Sequence, residues 1–120
     1  MKYEVGTAFA SFHYDLNFIT IHGRSRYPGL FLWTREWQKQ PVSIPEGCLL
    51  LQAGIMFEQL TGGFVTAGYH EVVYTEKTKE VVDRKLAENQ NGSENIMWRI
   101  SSTLFGHLRH DTDLTPLPEL

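Results

Sequence analysis

The chain has 120 residues, 42% apolar and 21% charged, with a formal net charge of −3 and a pI near 5.9. That length suits one domain burying roughly two-thirds of its unfolded surface around a single core, and the composition excludes disorder, collagen and coiled coil. The negative balance gives no electrostatic reason to expect nucleic acid or an anionic membrane as a partner. The longest apolar runs, Leu30–Trp33 and residues 48–51, are four residues each, far short of a bilayer span.

Met1-Lys2-Tyr3-Glu4 carries no apolar stretch and reads as no secretory signal. Cys48 is the single cysteine, so an internal disulfide is impossible. A reducing, cytoplasmic setting is expected, with Cys48 as a small buried hydrophobe.

In chain order, residues 17–22 alternate Phe18, Thr20 and His22 with Ile19 and Ile21, which predicts a strand with one face more apolar than the other. Tyr27-Pro28-Gly29 is turn chemistry, and a second strand follows over residues 30–34. Residues 37–41 read as a loop, 42–44 as a short strand and Pro45-Glu46-Gly47 as another turn. Residues 48–53 are apolar on both faces and predict a central, fully buried strand. A helical turn is expected over Ile55–Leu60 before Gly62-Gly63, then a strand over 64–74. Short strands spaced about ten residues apart between Gly and Pro turns indicate a sandwich or barrel.

Residues 75–95 break this rhythm. Dense charge of both signs, with Val82 and Leu86 four apart, predicts an exposed amphipathic helix over Glu76–Glu88, ended by Asn91-Gly92. A strand resumes over 96–104, and 111–120 form a proline-containing tail.

The sharpest chemical pattern is His13-Tyr14-Asp15 with His70 on a later strand. Residues two apart in extended chain point to one side, so His13 and Asp15 can aim into the same interior as His70. Two imidazoles and a carboxylate on one face of an octahedron form the facial triad of non-haem iron(II) oxygenases, although zinc also accepts such a set. On its own this triple is a weak signal. Arg99-Ile100-Ser101 strengthens it: two polar groups spaced by two among Met97, Trp98, Ile100 and Leu104. A buried guanidinium needs an anion, either the far carboxylate of a small acid or an internal partner such as Glu58 or Glu71.

The remaining candidates have plainer readings. His107 and His110 are surface residues, His22 is a polar strand residue, and Arg24 and Arg26 are solvated. Trp33, Trp37 and Trp98 belong to the core or its rim, and Tyr14 packs on the side opposite the two proposed ligands.

In this order the motifs resemble the iron(II)/2-oxoglutarate-dependent dioxygenase superfamily, in its isopenicillin N synthase-like branch. The resemblance is carried by His13-x-Asp15, Pro28-Gly29-Leu30, Trp33, Trp37 and Pro45-x-Gly47. It continues through Gly54, Glu58-x-x-Thr61-x-Gly63, His70-x-Val72-Val73, Arg99-x-Ser101, Phe105 and Pro116-Leu117-Pro118-Glu119-Leu120. It implies a mainly β double-stranded β-helix, or jelly roll, with a short inserted helix. The expected unit is one oxygenase core domain over residues 1–120, without the family's N-terminal region.

By the same resemblance His13, Asp15 and His70 are the metal ligands, and Arg99 and Ser101 hold the 2-oxoglutarate carboxylate. No catalytic residue is expected beyond the ligands. The implied cofactors are iron(II), 2-oxoglutarate as cosubstrate, and ascorbate as an accessory reductant. The implied reaction is hydroxylation or desaturation of a small-molecule substrate. A 2-oxoglutarate-independent iron oxidase and a non-catalytic jelly-roll binding module are the alternatives, and exposed strand edges would invite homo-oligomers. Two positions depart from the family pattern: Ile55 stands where an aspartate is usual, and Glu71 where an arginine is common. Residues 75–95 read as a surface insertion between the His70 and Arg99 strands, with a lid role conceivable.

Overall fold

A computed structural model describes residues 3–88 and 98–118. In chain order it contains β1 (Ala8–His13), β2 (Ile19–His22), β3 (Leu30–Trp33), β4 (Lys39–Pro41), β5 (Leu50–Ala53), α1 (Ile55–Leu60), β6 (His70–Val73), α2 (Glu76–Glu88) and β7 (Thr103–Gly106). The strands form two sheets, β1-β6-β3-β4 and β5-β2-β7, and every pairing within them is antiparallel. This is the mainly β, two-sheet architecture of a jelly roll, with the sheets separately hydrogen-bonded and no closed barrel among the described residues.

Close backbone approach sets the layout. Gly29 lies at φ +126° against β6, its carbonyl accepting from Val73 N at 2.9 Å, and a Cβ there would meet the Val73 oxygen at 2.4 Å. Helix α2 begins with a reciprocal cap in which Thr75 N donates to Thr78 Oγ1 (3.1 Å) and Thr78 N to Thr75 Oγ1 (3.2 Å). The buried Thr78 hydroxyl then reaches the Pro28 carbonyl at 3.2 Å, which docks the helix beside the turn preceding β3. Ile55–Leu60 and Glu76–Glu88 are helical as expected. The predicted end of α2 at Asn91-Gly92 lies outside the described residues.

Several expectations are corrected. Residues 37–41 are not a loop: Trp37, at φ 59°, closes a turn with its N–H on the Thr34 carbonyl (2.9 Å), and Lys39–Pro41 returns to pair with β3. Pro41 is tolerated because β4 is an edge strand. The ladder ends there, so 42–44 is not a strand.

Residues 48–53 are not a central buried strand. Only Leu50–Ala53 pairs, at the edge of the smaller sheet, and Leu51 is 61% exposed. Cys48 is exposed, because its N–H closes the preceding turn on the Pro45 carbonyl at 3.2 Å. Strand 64–74 shortens to His70–Val73, since the approach to it is held as a loop by Thr61 Oγ1 accepting from Val65 N (3.0 Å) and the Glu58 carboxylate accepting from Ala67 N (2.6 Å). The last strand is Thr103–Gly106; residues 98–102 run without regular secondary structure, and 96–97 lie outside the described residues.

The single apolar core expected from composition is not what the fold builds. Tyr27, Ala67 and Tyr74 are the buried apolar residues among those described, against seven buried polar ones: Asp15, Asn17, Thr20, Gln52, Thr61, His70 and Thr78. A wide cavity with both polar and apolar walls occupies the space between the sheets, while Leu51 and Leu104 flank Ile21 on the outer face of the small sheet. Trp37 and Trp98 are exposed as well, at 62% and 65%. Among the described residues no helix is long and apolar enough to cross a membrane.

Candidate metal centre and its cavity

Strand pairing brings the two histidines together. His13, the last residue of β1, is the direct cross-strand partner of His70, the first of β6, and their ring centroids are 4.2 Å apart. Asp15 lies just beyond β1 in a segment pinned by α1, whose Ile55 N–H donates to the Asp15 carbonyl at 2.9 Å. Gly54 permits that approach: a Cβ would meet the Asn17 carbonyl oxygen at 2.0 Å. Asp15 Oδ1 is 3.5 Å from His13 Nε2 and 3.9 Å from His70 Nε2, and one ligand atom from each residue lies within 4.8 Å of the others. Tyr14 turns to the other side and packs edge-on to Tyr69 at 5.0 Å, as expected.

The hydrogen bonds behind these three groups leave the right atoms free. The Asn17 amide donates to Thr20 Oγ1 (2.9 Å), and the Thr20 hydroxyl donates to Asp15 Oδ2 (2.6 Å), so Oδ1 is the oxygen presented to the histidines. Thr20 is 0% exposed. His13 Nδ1 lies 2.6 Å from the Ser11 carbonyl and His70 Nδ1 3.0 Å from that of Gly68. A carbonyl only accepts, so these two contacts suit rings that carry their proton on Nδ1 and offer the Nε2 lone pair to a metal; His70 Nδ1 also lies 2.6 Å from the Gln52 amide nitrogen. Burial, followed by the charge of His13, lowers the His70 pKa against the opposing effects of Gly68 and Asp15. The imidazole therefore stays neutral and able to ligate. Two imidazoles and a carboxylate held this way fit an iron(II) facial triad.

The three groups open onto a cavity of about 740 Å³. Arg99, Ser101, Thr103 and Phe105 line it at every second residue, while Trp98, Ile100 and Leu104 are exposed. The two-residue spacing of Arg99 and Ser101 thus places both on the cavity side, although neither belongs to the strand itself. Arg99 pairs with neither suggested glutamate: Glu71 binds Lys39, and Glu58 holds the Ala67 amide. Its Nε is buried without a hydrogen-bond partner, and burial lowers its pKa. Arg24, Arg26 and Lys77 line the same cavity, with Arg24 also 3.5 Å from Glu46, whereas Asp15 is the sole carboxylate in the lining among the described residues. His107 and His110 are exposed, as expected.

Sequence reasoning missed the supports. Asn17, Thr20 and Gln52 are buried and hold the ligands, but each reads in sequence as an ordinary polar residue beside or within a strand. His22 also lines the cavity, its ring 5.8 Å from that of His70. The placement of polar Thr20 and His22 on one face of an otherwise apolar strand was the available signal.

No family model matches the chain, and no curated protein does. Solved structures do share its fold. T7H of Neurospora crassa, in complex with alpha-KG, superposes with a TM-score of 0.72 at 19% identity, over 94% of this chain and 30% of that one. The dioxygenase for auxin oxidation 1 of Arabidopsis thaliana, as a 2-oxoglutarate complex, gives 0.72 at 23% identity over 96% and 37%. A protein of Caulobacter crescentus assigned to the 2OG-Fe(II) oxygenase family gives 0.66 at 27% identity over 90% and 30%. The fold is that of the 2-oxoglutarate- and iron(II)-dependent oxygenases, with no single branch singled out, and the chain spans about a third of the length of these structures.

Proposed function

We propose that this chain forms the catalytic core of an iron(II)- and 2-oxoglutarate-dependent oxygenase that hydroxylates or desaturates a small organic substrate. The observation that carries the reading is the convergence of His13, Asp15 and His70 with Arg99 and Ser101 on one cavity. His13 Nε2, Asp15 Oδ1 and His70 Nε2 would hold the metal, each oriented by its own hydrogen bond to Ser11, Thr20 or Gly68. Iron(II) bound there with 2-oxoglutarate would supply, with dioxygen as the four-electron oxidant, oxidative decarboxylation of the cosubstrate to succinate and carbon dioxide coupled to two-electron oxidation of the substrate.

The protein's share is binding, orientation and exclusion of water. Arg99 offers a planar fork of donors to the far carboxylate, and Ser101 adds a hydroxyl two residues on. The charge of the lining supports a dianion, since four cations (Arg24, Arg26, Lys77 and Arg99) face one carboxylate that the metal would neutralise. Apolar wall residues such as Leu30, Phe31 and Val42 leave room for an organic substrate beside it.

Anaerobic protein titrated with iron(II) and then with 2-oxoglutarate tests this reading. A weak visible charge-transfer band is expected in the wild type, and Arg99→Ala should weaken cosubstrate affinity about 100-fold or more. An unchanged affinity in that variant, or no band in the wild type, overturns the assignment. Iron-dependent oxygen uptake that ignores 2-oxoglutarate would instead aim Arg99 at the substrate's own carboxylate. Iron binding without oxygen uptake would leave a binding module.

A further inference from the structure

The cavity carries more positive charge than iron(II) and 2-oxoglutarate would use. Arg24, Arg26, Lys77 and Arg99 line it against Asp15, the one carboxylate among the described lining residues. Iron(II) would add two positive charges and 2-oxoglutarate would take two away, so the four cations less Asp15 leave the loaded site a surplus of three. Arg24 shares part of its charge with Glu46, 3.5 Å away. Arg26 and Lys77 have no ion-pair or hydrogen-bond partner among the described residues. Like charges gathered around one cavity repel each other, and an anion entering it relieves that repulsion.

The fold brings these two cations to one rim. Arg26 stands in the turn before β3 and Lys77 in the first turn of α2. The two segments are tied where Thr78 Oγ1 donates to the Pro28 carbonyl at 3.2 Å, and a Cβ on Gly29 would lie 3.5 Å from the same hydroxyl. Arg26 and Lys77 thus flank a fixed contact, and both line the cavity onto which His13, Asp15 and His70 open. Lys77 and Val81, four apart on α2, share the helix face that lines it. Leu30, Ile44 and Val72 make the neighbouring wall apolar. The far carboxylate of the cosubstrate has two oxygens, which the Arg99 fork and Ser101 suffice to fill, so the rim cations are left for a second anion.

The available donors favour a carboxylate over a phosphate. Phosphate is characteristically cradled by backbone N–H groups at a helix N-terminus or nest. Here Thr78 N is taken by Thr75 Oγ1 at 3.2 Å and Lys79 N by the Thr75 carbonyl at 2.9 Å, which leaves side-chain cations to do the binding.

We propose that the oxidised substrate is an apolar carboxylic acid, its carboxylate held by Arg26 and Lys77 at the rim while its apolar body reaches toward the metal centre. The inference rests on the iron and 2-oxoglutarate reading above and deepens it by naming the substrate class.

The test uses the full chain loaded anaerobically with iron(II) and 2-oxoglutarate, and a pair of fluorescent probes. Dansylglycine is an apolar body with a carboxylate; dansylamide is the same body without one. The wild type should bind dansylglycine about 10-fold or more tighter than dansylamide, and added salt should shrink the difference. Arg26→Gln and Lys77→Gln should each weaken dansylglycine about fivefold and leave dansylamide within about twofold. Affinity for 2-oxoglutarate, read from its visible band, should fall by about twofold at most, since that ligand loses only distant charge. Arg26→Lys and Lys77→Arg keep the charge and should bind dansylglycine nearly as the wild type does. Both positions are exposed, so the variants should fold, and thermal melting checks this. Equal binding of the two probes by the wild type, or dansylglycine affinity unchanged in both Gln variants, overturns the inference alone. So does a matching fall in 2-oxoglutarate affinity, which would assign the rim cations to the cosubstrate. A wild type that forms no 2-oxoglutarate band overturns this inference and the functional reading together.

Discussion

Replacing Thr20 with valine removes one oxygen from the most enclosed side chain behind the metal site and changes its shape little. The Thr20 hydroxyl donates to Asp15 Oδ2 at 2.6 Å and accepts from Asn17 Nδ2 at 2.9 Å, and the residue is 0% exposed. No water reaches the site to replace either bond. A hydrogen bond to a charged group contributes about 1.5–3 kcal/mol, and a stranded buried group costs a similar amount. Asn17 Nδ2 keeps the Ile19 carbonyl at 2.8 Å, so the larger loss falls on Asp15.

Thr20→Val should therefore destabilise the metal-free protein by about 2–3 kcal/mol, lowering Tm by roughly 8–12 °C for a domain of this size. Asp15 would then be free to rotate, and iron(II) affinity should fall about 10- to 100-fold. Thr20→Ser keeps the hydroxyl and should cost about 1 kcal/mol for the lost methyl, with iron affinity near wild type. Circular dichroism melts and anaerobic iron(II) titrations read both effects. A valine variant within 2 °C of wild type and within about twofold in iron affinity would refute the idea that this hydroxyl orients Asp15.

Gly54→Ala places a methyl 2.0 Å from the Asn17 carbonyl oxygen, so the Asp15–Asn17 segment must shift; the expected cost is about 2–3 kcal/mol with a matching loss of iron affinity, and an unchanged melt would contradict it. Stability should also depend on pH. Burial lowers the pKa values of His22 and His70 below the usual histidine value, so on acidification the unfolded chain takes up protons first. The metal-free protein should keep its stability above about pH 6.5 and lose it as pH falls from there through the lowered native values. Melting temperatures at about pH 7.5 and 5.5 read this; a flat profile, or the same fall in His22→Leu, counts against it.

Much of the site was legible in sequence because its chemistry is local or periodic. His13 and Asp15 stand two apart, Arg99 and Ser101 likewise, and an extended chain puts each pair on one side whether or not a regular strand forms around it. The start of helix α2 at Glu76 was legible because the charged pattern and the Val82–Leu86 spacing run at helical period, and in the structure Thr75 and Thr78 cap it there. The strands were harder. Residues 48–53 and 64–74 are apolar enough to read as long buried strands, yet pairing reaches only Leu50–Ala53 and His70–Val73. Hydrophobic patterning reports which residues avoid water; it does not report which edge has a neighbour.

The sequence by itself determined the residue types and spacings that a metal and a carboxylate require, and the two-sheet class of the fold. Only the tertiary structure decided that His13 sits opposite His70, that Thr20 takes one oxygen of Asp15 and leaves the other, and that Arg99 faces the cavity without a glutamate partner. The reason is physical. Spacing acts along the chain, where backbone geometry fixes it, whereas register, burial and hydrogen-bond partners join residues distant in sequence and exist only once the sheets have paired.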